Sequence, residues 1–211
     1  MPRTMAAPRG RQARGDRRVA QILDAAAELF AEIGYQKATT NAIAARAGAS
    51  PGSLYQFFPN KEAVAQALAD RYLEQLQTMF DTVLAADFAP RTLAEVLSHL
   101  ARSLIALTDT NPAFRSLFAN PESPENLAAS AHRLHTAVQE GMRTVVASRA
   151  PHLSDDQCAR SAVVMVQLVK GLLTVIQAAH GPERAALTVE LDRALYGYLA
   201  PLAGDHLSPT P

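Results

Sequence analysis

The chain has 211 residues, is 48% hydrophobic and is electrically balanced, with 20 Lys or Arg against 20 Asp or Glu. That length and apolar share allow one or two domains with a sizeable core and exclude a disordered chain. The single cysteine, Cys158, excludes an intrachain disulfide and suits a reducing compartment. The charge is unevenly placed. Residues 1–61 hold nine basic and four acidic side chains, leaving eleven basic against sixteen acidic in the remainder. A basic head on an acidic body predicts a polyanionic partner for the head. No apolar run follows a basic start, so no leader peptide is expected.

Residues 1–16, rich in Arg, Gly and Pro, read as a flexible basic arm, either a minor-groove reader or a solvated tail. In "RRVAQILDAAAELFAEIG" the apolar positions Ile22, Ala26, Leu29, Phe30 and Ile33 recur at helical spacing, and Gly34 supplies the stop. Thr39 or Thr40 can cap a short helix through about Ala47, with Ile43 and Ala44 facing inward and Gly48 ending it in the left-handed conformation. Ser50 caps a second short helix that Pro51 starts. Leu54 and Phe58, four apart, can pin that helix to a core while Tyr55 projects from the neighbouring face. Two short helices across a glycine turn make a helix-turn-helix, whose second helix begins with small residues that allow close approach to DNA. Lys61, at the start of the next helix, is placed as a phosphate contact.

From Lys61 a long helix runs through Val64, Leu68, Tyr72, Leu76, Phe80 and Val83. The same period recurs from Leu93 to Leu107, from Leu127 to Val145 and from Leu187 to Leu202. "AVVMVQLVKGLLTVIQAA", Ala162 to Ala179, approaches the length of a membrane span, but Gln167, Lys170 and Gln177 favour a helix buried in protein. Ser154 with Gln157 forms a capping box, and Asn111-Pro112, Ser123-Pro124 and Gly181-Pro182 each set a cap before a proline. No alternating strand pattern and no repeat is present. The expected fold is all-α, about nine helices, with a loose tail from 205.

The segment "IAARAGASPGSLYQFFPNKEAV", Ile43 to Val64, resembles the DNA-binding domain of the TetR family of bacterial repressors, and the resemblance covers about residues 17–65. It implies a DNA-binding domain over 17–62 and a helical ligand-binding and dimerisation domain over 63–204. It implies that Thr40 and Ser53 meet the DNA backbone, that Asn41, Pro51 and Gly52 lie at base edges, and that Tyr55 and Lys61 also hold the backbone, with Ser50 as the cap. Many members carry His where this chain has Phe57, which cannot donate to phosphate; Gln56 is the substitute donor. The family's partners follow: double-stranded DNA, a second copy of the chain through the last two helices, and a small apolar effector, in the cytoplasm and without a membrane.

A cavity for that effector is expected beside the long helix, bounded by Tyr72, Leu76, Phe80, Leu104, Phe114, Met142 and Met165, with His99, His135, Gln139 and Gln167 as orienting groups. Filling it would tilt the helix and change the separation of two reading heads. An activator, or an architectural DNA binder without a switch, fits the same residues. An enzyme carrying a helix-turn-helix fits less well, because no nucleophile elbow, phosphate loop, zinc-protease motif or paired carboxylates occur. No cofactor is expected. His132 and His135 form H-x-x-H with neither acid nor Cys at ligand spacing, so they read as ordinary polar histidines. Cys158 beside Asp155 and Asp156 reads as an inert thiol, and Lys170 as a side chain reaching for water or pairing with an acidic ligand.

Overall fold

The computed structural model describes residues 9–85, 91–111, 113, 114, 117 and 125–205. Among them are eight α-helices and no strand: α1 (Arg9–Ile33), α2 (Thr40–Arg46), α3 (Pro51–Tyr55), α4 (Lys61–Leu84), α5 (Leu93–Thr110), α6 (Ala128–Arg149), α7 (Asp155–Ala178) and α8 (Gly181–Ala203). A 3₁₀ turn, Glu125–Leu127, leads into α6. The chain divides into two compact units, 1–70 with 112–131, and 71–111 with 132–211. The division differs from the sequence expectation in two ways: it falls at 70/71, and it assigns the connection after α5 to the first unit.

The local reasons for these boundaries are visible in the backbone. Thr39 caps α2 by accepting from the Ala42 amide, and Ser50 caps α3 by accepting from the Ser53 amide. Gly34 and Gly48 hold φ of 80° and 58°, the left-handed region that ends α1 and turns the chain after α2. Ser154 and Gln157 make the expected reciprocal box, and Thr92 with Glu95 makes a second that sequence reading passed over. α1 begins at Arg9, so residues 9–16 are helical where a flexible arm was expected. No proline interrupts Arg9–Asp16, and those residues continue the helix that follows. Residues 1–8, the Ser123-Pro124 cap and the tail beyond 205 lie outside the described residues.

In the first unit, Ile22, Ala26 and Phe30 of α1, Ile43 and Ala44 of α2, Leu54 of α3, and Val64 and Leu68 of α4 are fully buried. Each large side chain among them contributes about 1.5–3 kcal/mol on leaving water. The second unit is centred on α5, α6, α7 and α8, with Leu97, Met142, Met165, Val166, Leu191, Leu195 and Leu199 in one core. A smaller group, Phe80, Val83, Val96, Leu100 and Val145, joins the end of α4 to α5 and α6.

Here one glycine sets a packing distance. A Cβ built at Gly141 on α6 would stand 2.6 Å from Phe80 Cγ, so the α4 ring rests directly on the α6 backbone. Phe80 is 5% exposed and cannot swing out. Gly141→Ala should therefore lower unfolding free energy by about 1–3 kcal/mol, the usual cost of overpacking. Adding Phe80→Leu should return part of that loss in urea denaturation.

Candidate DNA-binding surface

α3 is short, and its position depends on its neighbours. Leu54 is fully buried and Phe58 is 7% exposed, so the two pin the helix as their spacing predicted. The opposite face carries Pro51, Gly52, Tyr55 and Gln56, all exposed, with Ser53 half-buried. On α2, Asn41 is exposed and Thr40 half-buried. Thr40 Oγ1 and Tyr55 Oη lie 2.9 Å apart, a hydroxyl pair that ties α2 to α3 across the turn. The turn itself is covered by Arg18 of α1, whose guanidinium approaches the Gly48 and Ala47 carbonyls at 3.4 and 3.5 Å. Gly52 has open space where a side chain would stand, so nothing inside the protein requires glycine there.

Lys61 has an unexpected set of partners. Its ammonium donates to the carbonyls of Tyr35 at 2.7 Å, Ala38 at 3.0 Å and Gln36 at 3.3 Å, and lies 4.3 Å from the centroid of the Tyr35 ring. An ammonium has three donors and all three are used. In this structure Lys61 clasps the α1–α2 connection, a role its sequence position did not announce.

Three further residues complete the picture. Arg46 pairs with Glu32 at 2.6 Å and reaches Glu28 at 4.0 Å, so one of the head's nine basic charges is neutralised locally. The hydrogen bond from Arg46 holds the Glu32 carboxyl below its usual range. Phe57 is 37% exposed, and a Cβ added at Gly15 of α1 would come within 4.0 Å of its ring. Arg18 acquires a role that no short-range sequence signal announced.

The candidate effector residues do not converge as expected. Tyr72, Leu76 and Met165 are wholly buried, and Phe80 and Met142 nearly so, which makes them core. Leu104, His135 and Gln139 are half-buried. Phe114 belongs to the first compact unit, while the other candidates belong to the second. Gln167 is exposed on α7, so it faces solvent in the monomer where an orienting role in a cavity was expected. His99 is also exposed and lines an open groove of about 810 Å³ between α5 and α8, with Arg91, Glu95, Arg102, Asp192 and Tyr196. It departs from the apolar cavity because the buried face of α5 runs through Leu93, Val96, Leu97 and Leu100. Burial, then the positive charges of Lys170 and His132, hold His135 below the usual imidazole range. No group of three metal-ligating side chains occurs among the described residues. Cys158 is buried.

Residues 22–68 match the family model for bacterial regulatory proteins of the tetR family, and residues 92–199 match that for the tetracyclin repressor-like C-terminal domain. The chain belongs to the TetR family of bacterial transcriptional regulators. The A-factor receptor protein of Streptomyces griseus is 42% identical over 69 residues, 33% of this chain, and that match spans only 24% of the receptor. A relative matched along most of both chains is the HTH-type transcriptional repressor Rv1474c of Mycobacterium tuberculosis, 29% identical over 179 residues, 81% of this chain and 88% of that one. Among solved structures, SmeT in complex with triclosan superposes with a TM-score of 0.69 at 23% identity, covering 92% of this chain and 96% of its own. That likeness establishes the shared TetR fold.

The Lys61 geometry separates two roles by measurement. Lys61→Ala should lower folding stability by about 1–2 kcal/mol, since a charged donor is withdrawn from partly buried carbonyls. It should leave the salt dependence of DNA binding unchanged in thermal melts and binding titrations run in parallel. A lost phosphate contact would instead reduce the logarithmic salt slope by about one.

Proposed function

We propose that the protein is a dimeric transcriptional repressor that reads a two-fold-related DNA site with α3 and is released from it by a small molecule bound in the second unit. The observation that carries the reading is the α3 face. Pro51, Gly52 and Tyr55 stand exposed beside Thr40 and Asn41, and the space over Gly52 is empty where protein packing would not require it. A glycine kept free of its own protein suits a helix that must approach a second macromolecule closely. The surplus of positive charge on residues 1–61 supplies a nucleic-acid partner with a long-range reason to come to this end. Thr40, Ser53, Tyr55 and Gln56 then meet the DNA backbone, and Asn41, Pro51 and Gly52 the base edges. Rv1474c, described as a repressor, lends the direction of control.

Dimerisation is supported by what α7 and α8 leave uncovered. Val163, Val164 and Val175 on α7 and Val189 on α8 are 40–53% exposed. α7 is also the one described helix long and apolar enough to cross a membrane. Its other face carries Ala162, Met165, Val166, Val169 and Ile176 in the core shared with α8. A second copy laid against the exposed face answers the remaining apolar surface within a soluble, cytoplasmic assembly. For the effector, half-buried Leu104, His135 and Gln139 are the candidates left on α5 and α6, and SmeT with triclosan is a precedent in the same fold for an apolar ligand. Whatever the effector, loosening DNA tenfold requires that it bind the DNA-bound form about tenfold less tightly.

Selection from random duplexes should return an inverted repeat; a single asymmetric site would overturn the dimeric reading, and no enriched sequence would overturn the regulator itself. Val164→Glu together with Val175→Glu should give a monomer in sedimentation at micromolar concentration. Losing the second head should cost about a hundredfold in affinity for the selected duplex.

A further inference from the structure

Asn126 lies in the 3₁₀ turn that leads into α6, far along the chain from the reading head, yet its amide meets two head residues. Nδ2 donates to Tyr35 Oη at 2.8 Å and to Glu62 Oε1 at 2.9 Å. The two amide protons each meet one acceptor, so Asn126 stands at the apex of a triangle with Tyr35 and Glu62. All three residues belong to the first compact unit.

The members of the triangle belong to different structural elements. Tyr35, 6% exposed, is the α1–α2 corner, and its ring lies 5.4 Å from that of Phe30 and under the Lys61 ammonium. Glu62 is in the first turn of α4. Asn126 is followed directly by Leu127, which is fully buried, and by α6. Further along, α6 carries Leu134, Met142, Val145 and Val146, all buried.

We propose that Asn126 is a positioning residue of the DNA-reading head: it holds the first turn of α4 to the α1–α2 corner, and withdrawing it loosens the head's angle on DNA. The inference rests on the regulator reading above and names how that activity is controlled. Lys61 fixes the corner to α4 permanently, through backbone carbonyls. Asn126 adds a second tie, through side chains, from a segment far along the chain.

The test uses the full chain and the duplex that it selects from random DNA, rebuilt with the half-site spacing changed by one base pair in each direction. Wild type should discriminate strongly among the three spacings. Asn126→Ala should bind the selected duplex about tenfold more weakly, flatten the discrimination among spacings, and leave nonspecific binding unchanged. Tyr35→Phe, which keeps the ring and removes the hydroxyl, should do the same. The double variant should be no worse than either single one, because both break one network. Tyr35→Phe also decides the matter should Asn126→Ala fail to fold. Unchanged spacing discrimination in a folded variant overturns the proposal while the regulator reading stands. Failure of wild type to select any duplex overturns both.

Discussion

The head depends on one cation being captured from inside. Three backbone carbonyls at the α1–α2 connection converge on Lys61 Nζ, and the Tyr35 ring closes the fourth side. A chain that leaves a helix exposes carbonyl oxygens, and without a donor they must be hydrated or strained. Here they are answered by the first residue of α4. The long helix thus begins attached to the corner from which α2 and α3 are hung. The burial of Leu54 and Phe58 then fixes how α3 faces outward, and Arg18 covers the turn between the two short helices. Remove the clasp and the hydrophobic contacts remain, but the corner loses its three backbone ties to α4.

How much of this could be read beforehand follows from the range of each interaction. Caps, glycine stops and helical spacing act over three or four residues, so Thr39, Gly34, Gly48, Ser50 and the Ser154–Gln157 box were legible. Leu54 and Phe58 were legible for the same reason. Lys61 was legible as a helix start, but its three carbonyl partners were not, because they lie 23–26 residues away. Asn126, 91 residues from Tyr35, carried no signal at all. The exposure of His99 and Gln167 was illegible for a different reason: residue type proposes a polar lining, and only the helix face decides whether the side chain points in.

The second unit shows the complementary division of labour. α7 gives one face to the core with α8 and leaves valines on the other. Its composition, taken alone, is that of a membrane helix, and the presence of Gln167 and Lys170 on its exposed side argues for a partly polar neighbour. Burial first, then the charges of Lys170 and His132, raises the cost of protonating His135 on α6.

The Thr40–Tyr55 pair has a consequence of its own. Two hydroxyls joined by one hydrogen bond do not contribute equally: the donor has its proton engaged, and the acceptor keeps its own free. Either oxygen can take either part at 2.9 Å. The pair therefore has one outward proton at a time, and a turn of two O–H rotors moves it from α2 to α3 with both helices standing still. Such a head can serve an acceptor oxygen beside either helix, but not beside both at once. The adjustment costs a hydrogen's movement where a rigid donor would have to move a helix.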